Sequence, residues 1–461
     1  MALIVSISGI RGTIGGKPGN ALTPIEIVNF SSAYSRWLSE QESHQTQTRK
    51  VVIGRDARVS GPIVSQLVSN TLMACGIDII DLGLATTPTV EMAVTHFKAQ
   101  GGIIITASHN PAQWNALKLL NSKGEFISGA EGNHLLRLIK NSDFEYATYD
   151  KLGKYTVFDF TQHHIDSILK LPLVDVESIK AKKYKVVFDA INSVGAIAIP
   201  PLLEQLGVEC VVLNDEPNGI FAHNPEPLEK HLGETLETVK AKKADMGIVV
   251  DPDVDRLAFI DEHGVMFGEE YTLVAIADYV LQHTPGNTVS NLSSSRALSD
   301  ITAKHGQKYT AAAVGEVNVV EMMKKTNAVI GGEGNGGIIY PPLHYGRDAL
   351  VGIALFLSHL SKSGKTVSQI KKELPLYFME KTKVDLNPET DVDNILKTAA
   401  QNFKNENINT VDGVKIDFKD GWVHLRKSNT EPIIRIYAEA KSEEAVKNLI
   451  GKVLDSVGLK R

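Results

Sequence analysis

The chain of 461 residues has only two cysteines, Cys75 and Cys210. That count excludes a disulfide framework. Both lie among apolar residues (LMACGID, VECVVL), so each is expected to be a buried, reduced thiol. Positive charge is not in excess: 48 Lys and Arg stand against 54 Asp and Glu, for a formal net charge of −6. Neither a nucleic-acid groove nor a basic membrane face is expected from that balance. No apolar run approaches the length of a membrane span. The first residues, MALIVSISGIRG, carry no basic leader, and the expectation is a cytoplasmic protein. The rest is ordinary for a globular chain, 43% hydrophobic and 22% charged, over a length that predicts two to four domains.

Short apolar strands alternate with amphipathic helices, the pattern of α/β units. VVIGRD (51–56) reads as a strand ending in polar residues, and IVSQLVSNTLMACG as a helix with Gly76 beyond its end. IIDLG (79–83) and GGIIITAS (101–108) read as the next strands. The theme restarts at YKVVFDAINSVGA (184–196) and again near NTVSNLSSSRALSDITAKHG (287–306). Three α/β blocks of about a hundred residues each are predicted. KIDFKDGWVHLRKSNTEPIIRIYAEAKS (415–442) instead reads as an antiparallel sheet with a turn at Lys419–Gly421, closed by the helix EEAVKNLIGKVLDSV. That is a smaller α+β domain. QESHQTQTRK (41–50) reads as a solvated loop.

Four stretches carry chemistry. In TASHNP, Ser108 sits where a buried strand ends, the usual place for function in α/β folds. It suits a nucleophile or phosphate carrier, with His109 to shuttle protons and Lys118 to supply positive charge. The alternative is that Ser108 and Asn110 only cap a following helix. In GIVVDPDVDRLAF (247–259), Asp251, Asp253 and Asp255 alternate along an extended loop, so their carboxylates converge. Packed carboxylates need a hard cation, and oxygen-only ligands favour Mg2+. Arg256 beside them can hold a phosphate. An EF-hand is excluded because Arg256 stands where a glycine is required. A strand followed by D-x-D is also how haloacid-dehalogenase-type phosphatases present a nucleophilic aspartate.

The third stretch, VIGGEGNGGIIYPP (329–342), combines five glycines with Glu333 and Asn335, groups able to read sugar hydroxyls. It is neither a Walker loop nor a Rossmann fingerprint. The fourth, RKSNTEPIIR (426–435), concentrates Arg426, Ser428, Asn429, Thr430 and Arg435, a donor set suited to a phosphate dianion. Two further stretches read as structural. PNGIFAHNPEP (217–227), with His223 and Asn224, is a turn, and Arg347 and Asp348 in YGRDAL anchor the start of a helix.

Together, TASHNP, DPDVDR, GGEGNGG and RKSNTEPIIR, in that order, resemble the signature loops of the α-D-phosphohexomutase superfamily over essentially the whole chain. SISGIRG and GRDARVSG (54–61) are also typical of it. The form GGEGNGGIIYP looks most like the archaeal-type phosphoglucosamine mutases, close to phosphomannomutase/phosphoglucomutase. Asn335 stands where many members carry serine, and Gly337 where some carry histidine, which removes one proposed acid/base histidine. Aspartate-nucleophile phosphatase and inactive sugar-phosphate sensor remain the alternatives from other classes.

The resemblance implies three related α/β domains and a smaller α+β C-terminal domain around a central cleft. It divides the chain into domain I, 1–152, with the phosphoserine loop; domain II, 153–256, with the metal loop; domain III, 257–372, with the sugar loop; and domain IV, 373–461, with the phosphate loop. It implies an isomerase that interconverts hexose 6- and 1-phosphates, glucosamine phosphate first, through phosphorylated Ser108 and a hexose 1,6-bisphosphate that is both intermediate and activator. Asp251, Asp253, Asp255 and the Ser108 phosphate would bind one Mg2+. Arg11, His109, Lys118 and Arg256 would surround the reacting phosphoryl group. Glu333 and Asn335 would contact the sugar, and Arg426, Ser428, Asn429, Thr430 and Arg435 the other phosphate. The expected partner is a small-molecule sugar phosphate, with no nucleic acid and no membrane; the sequence sets no oligomeric state.

Overall fold

The structure, a computed structural model, describes residues 3–6, 9–41, 49–387, 389–427 and 433–459. Most of the loop expected over 41–50 lies outside them. The chain divides into two units, Met1–Thr272 with Gly336–Ser368, and Leu273–Asn335 with Gln369–Arg461.

The first unit begins with β1 (Leu3–Ser6), β2 (Gly9–Thr13), α1 (Pro24–Gln41), β3 (Lys50–Arg55), α2 (Gly61–Ala74), β4 (Asp78–Leu84), α3 (Thr87–His96), β5 (Gly101–Ile105), β6 (Trp114–Leu120), α4 (Gly129–Asn141) and β7 (Tyr155–Val157). The strands form one sheet in the order β1-β2-β6-β5-β3-β4-β7. Pairing is parallel among β5, β3, β4 and β7, and antiparallel from β5 through β6 and β2 to β1. The unbroken apolar run of β5 has a simple cause. Ile103 and Ile105 join one core with Trp37, Val68 and Leu135, while Ile104 joins a second with Val90, Val94 and Phe160. Both faces are covered, so no polar alternation survives.

The second block of this unit follows as α5 (Thr161–Leu169), α6 (Val176–Lys182), β8 (Lys185–Asp189), α7 (Gly195–Gln205), β9 (Glu209–Leu213), α8 (Gly233–Lys242), β10 (Met246–Val250) and β11 (Leu257–Ile260). Its sheet order is β11-β10-β8-β9, and β11 alone runs antiparallel to its neighbour. Cys75 is buried as expected, but Cys210 is only half-buried, because β9 is an edge strand. Burial still pushes the Cys210 thiol up to about 12. His223 bonds Asp189 at 3.1 Å and the Asn224 carbonyl at 2.8 Å, so its loop is a tied structural turn.

After α9 (Glu269–His283), the second unit contains β12 (Asn287–Asn291), α10 (Ala297–Lys304), β13 (Tyr309–Ala312), α11 (Glu316–Thr326) and β14 (Ala328–Glu333), with β12 parallel to both β13 and β14. The chain then returns to the first unit with β15 (Gly337–Ile339) and α12 (Ala349–Ser363). Every residue from Ala349 to Ser361 is buried, and Phe356 stacks on Phe259 at 4.1 Å. A helix apolar all round is an interior helix. Among the described residues, no helix is long and apolar enough to cross a membrane.

Following α13 (Val367–Glu373) come β16 (Phe378–Asp385), α14 (Val392–Asn402), β17 (Asn407–Asn409), β18 (Val414–Phe418), β19 (Gly421–Lys427), β20 (Ile433–Ala440) and α15 (Glu443–Ser456). The sheet is antiparallel, β16-β20-β19-β18-β17, with the turn where the sequence placed it. Within this unit the sheet is joined to the loop after β12. Ser293 Oγ bonds His424 at 3.0 Å, and the Arg296 amide donates to Glu439 at 2.9 Å.

Candidate functional site

The strand before Ser108 leads into no helix. β5 turns back through a loop into β6, so Ser108 and Asn110 cap nothing. Ser108 adopts a left-handed backbone, φ 49°, a conformation uncommon outside glycine. Three neighbours hold it there. Its amide donates to Thr106 Oγ1 at 2.9 Å, Thr106 donates to Asp56 at 2.6 Å, and Asp56 pairs with Arg58 at 2.9 Å. Arg58 is fully buried. Its remaining N–H groups reach the carbonyls of Ser108, Asn110, Pro111 and Trp114 at 2.5, 2.6, 2.7 and 3.0 Å. All five guanidinium donors are thereby used. The sequence shows Arg58 only as part of GRDARVSG; its place just past a strand end is the signal that could have found it.

Asp251, Asp253 and Asp255 do converge, each fully buried, with ligand oxygens within 4.8 Å of one another. Alternation along an extended loop is not the reason. The loop curls tightly: Val254 sits at φ 63°, its amide donates to the Asp251 carbonyl at 3.1 Å, and the Asp255 and Arg256 amides donate to Asp251 Oδ1. Gly336 closes against this loop from the far end of the sequence, and a Cβ there would lie 2.2 Å from the Leu257 carbonyl oxygen.

The serine and the acidic loop form one site. Ser108 Oγ donates to Asp251 Oδ2 at 2.6 Å and lies 3.3 Å from His109 Nδ1. Lys118, on β6, bonds Asp253 at 2.7 Å and Asp255 at 3.2 Å. A pocket of about 320 Å3 is lined by Arg11, Ser108, His109, Lys118, Arg256 and Arg347 among others. Arg11 enters from β2, opposite Ala116. That register needs Gly9, where a Cβ would lie 1.9 Å from the Leu117 carbonyl oxygen. Arg256 stands 4.0 Å from Asp251. Asp348 caps α12 as the sequence implies, donated to by the Leu350 amide at 2.8 Å. Arg347 does more than anchor that helix: it reaches Asp255 Oδ2 at 2.7 Å.

Charge in the site is finely divided. Burial and the neighbouring carboxylates raise Asp251 well above the usual carboxylate range. Burial would also raise Asp253, but the Lys118 ammonium overrides it and holds Asp253 low. Burial alone would lower Lys118; Asp253 and Asp255 reverse this and fix it as an ammonium. Burial, with Arg256, Arg347 and Arg11, pushes His109 down to about 2, so its imidazole is neutral. Among the described residues, the buried Oδ1 atoms of Asp253 and Asp255 have no hydrogen-bond partner. Orphaned buried carboxylate oxygens beside a third carboxylate are the donor set a hard divalent cation fits.

In the second unit, Glu333 is buried and accepts from the Asn291 amide group at 2.8 Å and the Gly315 N–H at 3.1 Å. Asn335, two residues on, is partly exposed. Arg426 and Arg435 are register partners on β19 and β20, and Lys383 on β16 faces Arg435 in turn. Cations placed opposite one another repel, so this row favours an anion. Arg426 is also paired with Asp412 at 2.9 Å. Ser428, Asn429 and Thr430 lie outside the described residues. Lys383 has no sequence signal; only the strand register brings it in.

Comparison with known proteins gives four matches in sequence order. Phosphoglucomutase/phosphomannomutase alpha/beta/alpha domains I, II and III match residues 3–146, 162–264 and 268–377, and that family's C-terminal domain matches 381–456. The chain belongs to the phosphoglucomutase/phosphomannomutase family. Similar members include a phosphoglucomutase/phosphomannomutase from Thermococcus kodakarensis, 38% identical over 95% of this chain and 96% of its own. A phosphoglucosamine/phosphogalactosamine mutase from Sulfurisphaera tokodaii is 34% identical over 98% of each, and a probable phosphoglucosamine mutase from Pyrococcus abyssi is 33% identical over 96% of this chain and 95% of its own. Among solved structures, a phosphoglucomutase/phosphomannomutase family protein from Burkholderia thailandensis superposes with a TM-score of 0.84 at 25% identity, covering 99% of this chain and 98% of that one. Within the phosphoglucomutase/phosphomannomutase domains, Ser108 falls in the first, the three aspartates in the second, Glu333 and Asn335 in the third, and Arg426 and Arg435 in the fourth.

Proposed function

We propose that this phosphohexomutase interconverts glucosamine 6-phosphate and glucosamine 1-phosphate in the cytoplasm, through phosphorylated Ser108 and the 1,6-bisphosphate. The observation that carries the reading is the 2.6 Å contact of Ser108 Oγ with Asp251, in a pocket shared with Lys118. Phosphoryl transfer asks little covalent help from a protein; it needs positioning and charge neutralisation. Mg2+ held by Asp251, Asp253, Asp255 and the Ser108 phosphate would neutralise charge on the departing serine oxygen.

In the first half-reaction a sugar hydroxyl attacks the phosphorus on Ser108. The Ser108 Oγ–P bond breaks as the sugar O–P bond forms. The hydroxyl proton passes to His109, whose basicity the adjacent Ser108 phosphate dianion would restore, and Ser108 Oγ takes a proton from the Lys118 ammonium. Arg11 and Arg256 would hold the phosphoryl oxygens in line. The second half-reaction, from the other phosphate of the bisphosphate, reverses both proton transfers. Glu333 and Asn335 would read the sugar hydroxyls. Arg426, Ser428, Asn429, Thr430 and Arg435 would hold the phosphate that is not reacting. We keep the division into 1–152, 153–256, 257–372 and 373–461 as part of this reading.

Glucosamine phosphate rests on the relatives named for it; the more similar Thermococcus kodakarensis protein supports phosphomannomutase/phosphoglucomutase as the second reading. The test is kcat/KM on glucosamine, glucose and mannose phosphates with Mg2+ and a bisphosphate primer. We expect glucosamine 6-phosphate to lead by about tenfold or more, the scale on which a pocket discriminates one substituent. Equal or higher values for glucose or mannose phosphates would establish the second reading. Arg435→Ala should raise KM by roughly 10- to 100-fold, the loss of a charge-assisted clamp. Its thermal stability should hold, because the variant also relieves repulsion from Arg426 and Lys383. An unchanged KM would place the second phosphate elsewhere.

A further inference from the structure

Two of the three aspartates are held in the same way. Asp253 offers Oδ2 to Thr87 Oγ1 at 2.6 Å and to Lys118, and Asp255 offers Oδ2 to Arg347 at 2.7 Å and to Lys118. In each, the outer oxygen is tied and the inner one, Oδ1, has no hydrogen-bond partner among the described residues. Outer partners of this kind fix the orientation of metal ligands and commonly govern affinity.

The two clamps share one support. Thr87 opens α3, and its amide also bonds the Asp253 carbonyl at 2.9 Å. Four residues further along α3, buried Glu91 lies 3.4 Å from His344 Nδ1. The opposite ring nitrogen of His344 is 3.2 Å from Asp348 Oδ2, and Asp348 is the immediate neighbour of Arg347. His164 braces the same Asp348 oxygen at 2.9 Å and reaches back to Thr89 of α3 at 2.9 Å. The approach is close: a Cβ at Gly346 would lie 1.8 Å from Glu91 Oε2, so a side chain there would displace the Glu91 carboxylate.

We propose that Thr87 and Arg347 are positioning residues that aim Asp253 and Asp255, and that the buried relay Glu91–His344–Asp348 couples these two clamps into a single device setting Mg2+ affinity. The inference rests on the reading of the aspartates as a metal site. Burial would lower the His344 imidazole, but Asp348 and Glu91 reverse this and raise it to about 10, so the relay is a carboxylate–imidazolium–carboxylate line. None of its members touches the pocket where Ser108 reacts.

The experiment is a calorimetric titration of Mg2+ into the full-length protein carrying the Ser108 phosphate, for wild type, Thr87→Val, His344→Gln and the double variant. Thr87→Val changes neither charge nor shape. Each single variant should weaken Mg2+ binding by about 10- to 100-fold, the range for lost outer partners. The double variant should lose less than the product of the two, the mark of sites that share one device. His223→Gln, outside the relay, should bind Mg2+ like wild type. If His344→Gln fails to fold, Glu91→Gln replaces it and breaks the same pair. Folded variants within about twofold of wild type, or a double variant losing the full product, would overturn the relay. Wild type that binds no Mg2+ and shows no mutase turnover would instead overturn the functional reading beneath it.

Discussion

Ser108→Ala lowers mutase turnover by about 10⁴-fold or more, the scale seen when a covalent nucleophile is removed, while the protein stays folded. The second half of that expectation follows from how the residue is held. Thr106 and Arg58 grip Ser108 through its main-chain amide and carbonyl, neither of which alanine changes. Only the contacts of Oγ with Asp251 and His109 are lost. Two measurements check it. Turnover is assayed with Mg2+ and a bisphosphate primer, and labelled bisphosphate is followed for transfer of phosphate onto the protein. Wild type should take up label and the variant none. Near-normal turnover in the variant would mean that the phosphoryl group travels by another residue, and the Ser108 mechanism would be wrong.

Arg58→Met acts on stability rather than on chemistry, and its effect should be the largest of any single change away from the reacting atoms. The substitution leaves Asp56 buried and unpaired and frees the carbonyls of Ser108, Asn110, Pro111 and Trp114. Breaking a buried pair costs about 3–5 kcal/mol, which for a protein of this size lowers the melting temperature by roughly 3–5 °C. Turnover measured well below the new melting temperature should also fall, because the loop no longer holds Ser108 at its left-handed backbone. Arg58→Lys keeps the charge yet cannot reach four carbonyls, so it should fall between wild type and methionine. A methionine variant as stable as wild type would show that the loop is fixed by other contacts.

Much of the site was readable in the sequence because it obeys local rules. Ser108 stands at a strand end, and three aspartates spaced by two have few uses other than a cation. The alternation of strand and helix likewise marked the α/β blocks, since β5 is apolar for the plain reason that both its faces are covered. What the sequence hid is whatever depends on register or long-range return. The row Lys383–Arg435–Arg426 exists only once β16, β20 and β19 are aligned. Arg347 looks like a companion of a helix cap, and nothing near it in sequence points to Asp255. Arg58 becomes legible only when the loop from Ser108 to Trp114 folds over it. Even the aspartates converge by a tight curl about Val254 rather than by the alternation their spacing implies.

The return of residues 336–368 to the first unit has a consequence for synthesis. α5, α6, α7 and β11, which pack against α12, have all been made by Thr272, but α12 itself has not. At about 5–20 residues per second, the roughly hundred residues still to come take about 5–20 s. During that interval the nascent chain carries an open hydrophobic slot. The ribosome thus finishes the first unit only after it has built much of the second, and a chain truncated at Thr272 would keep that slot open permanently.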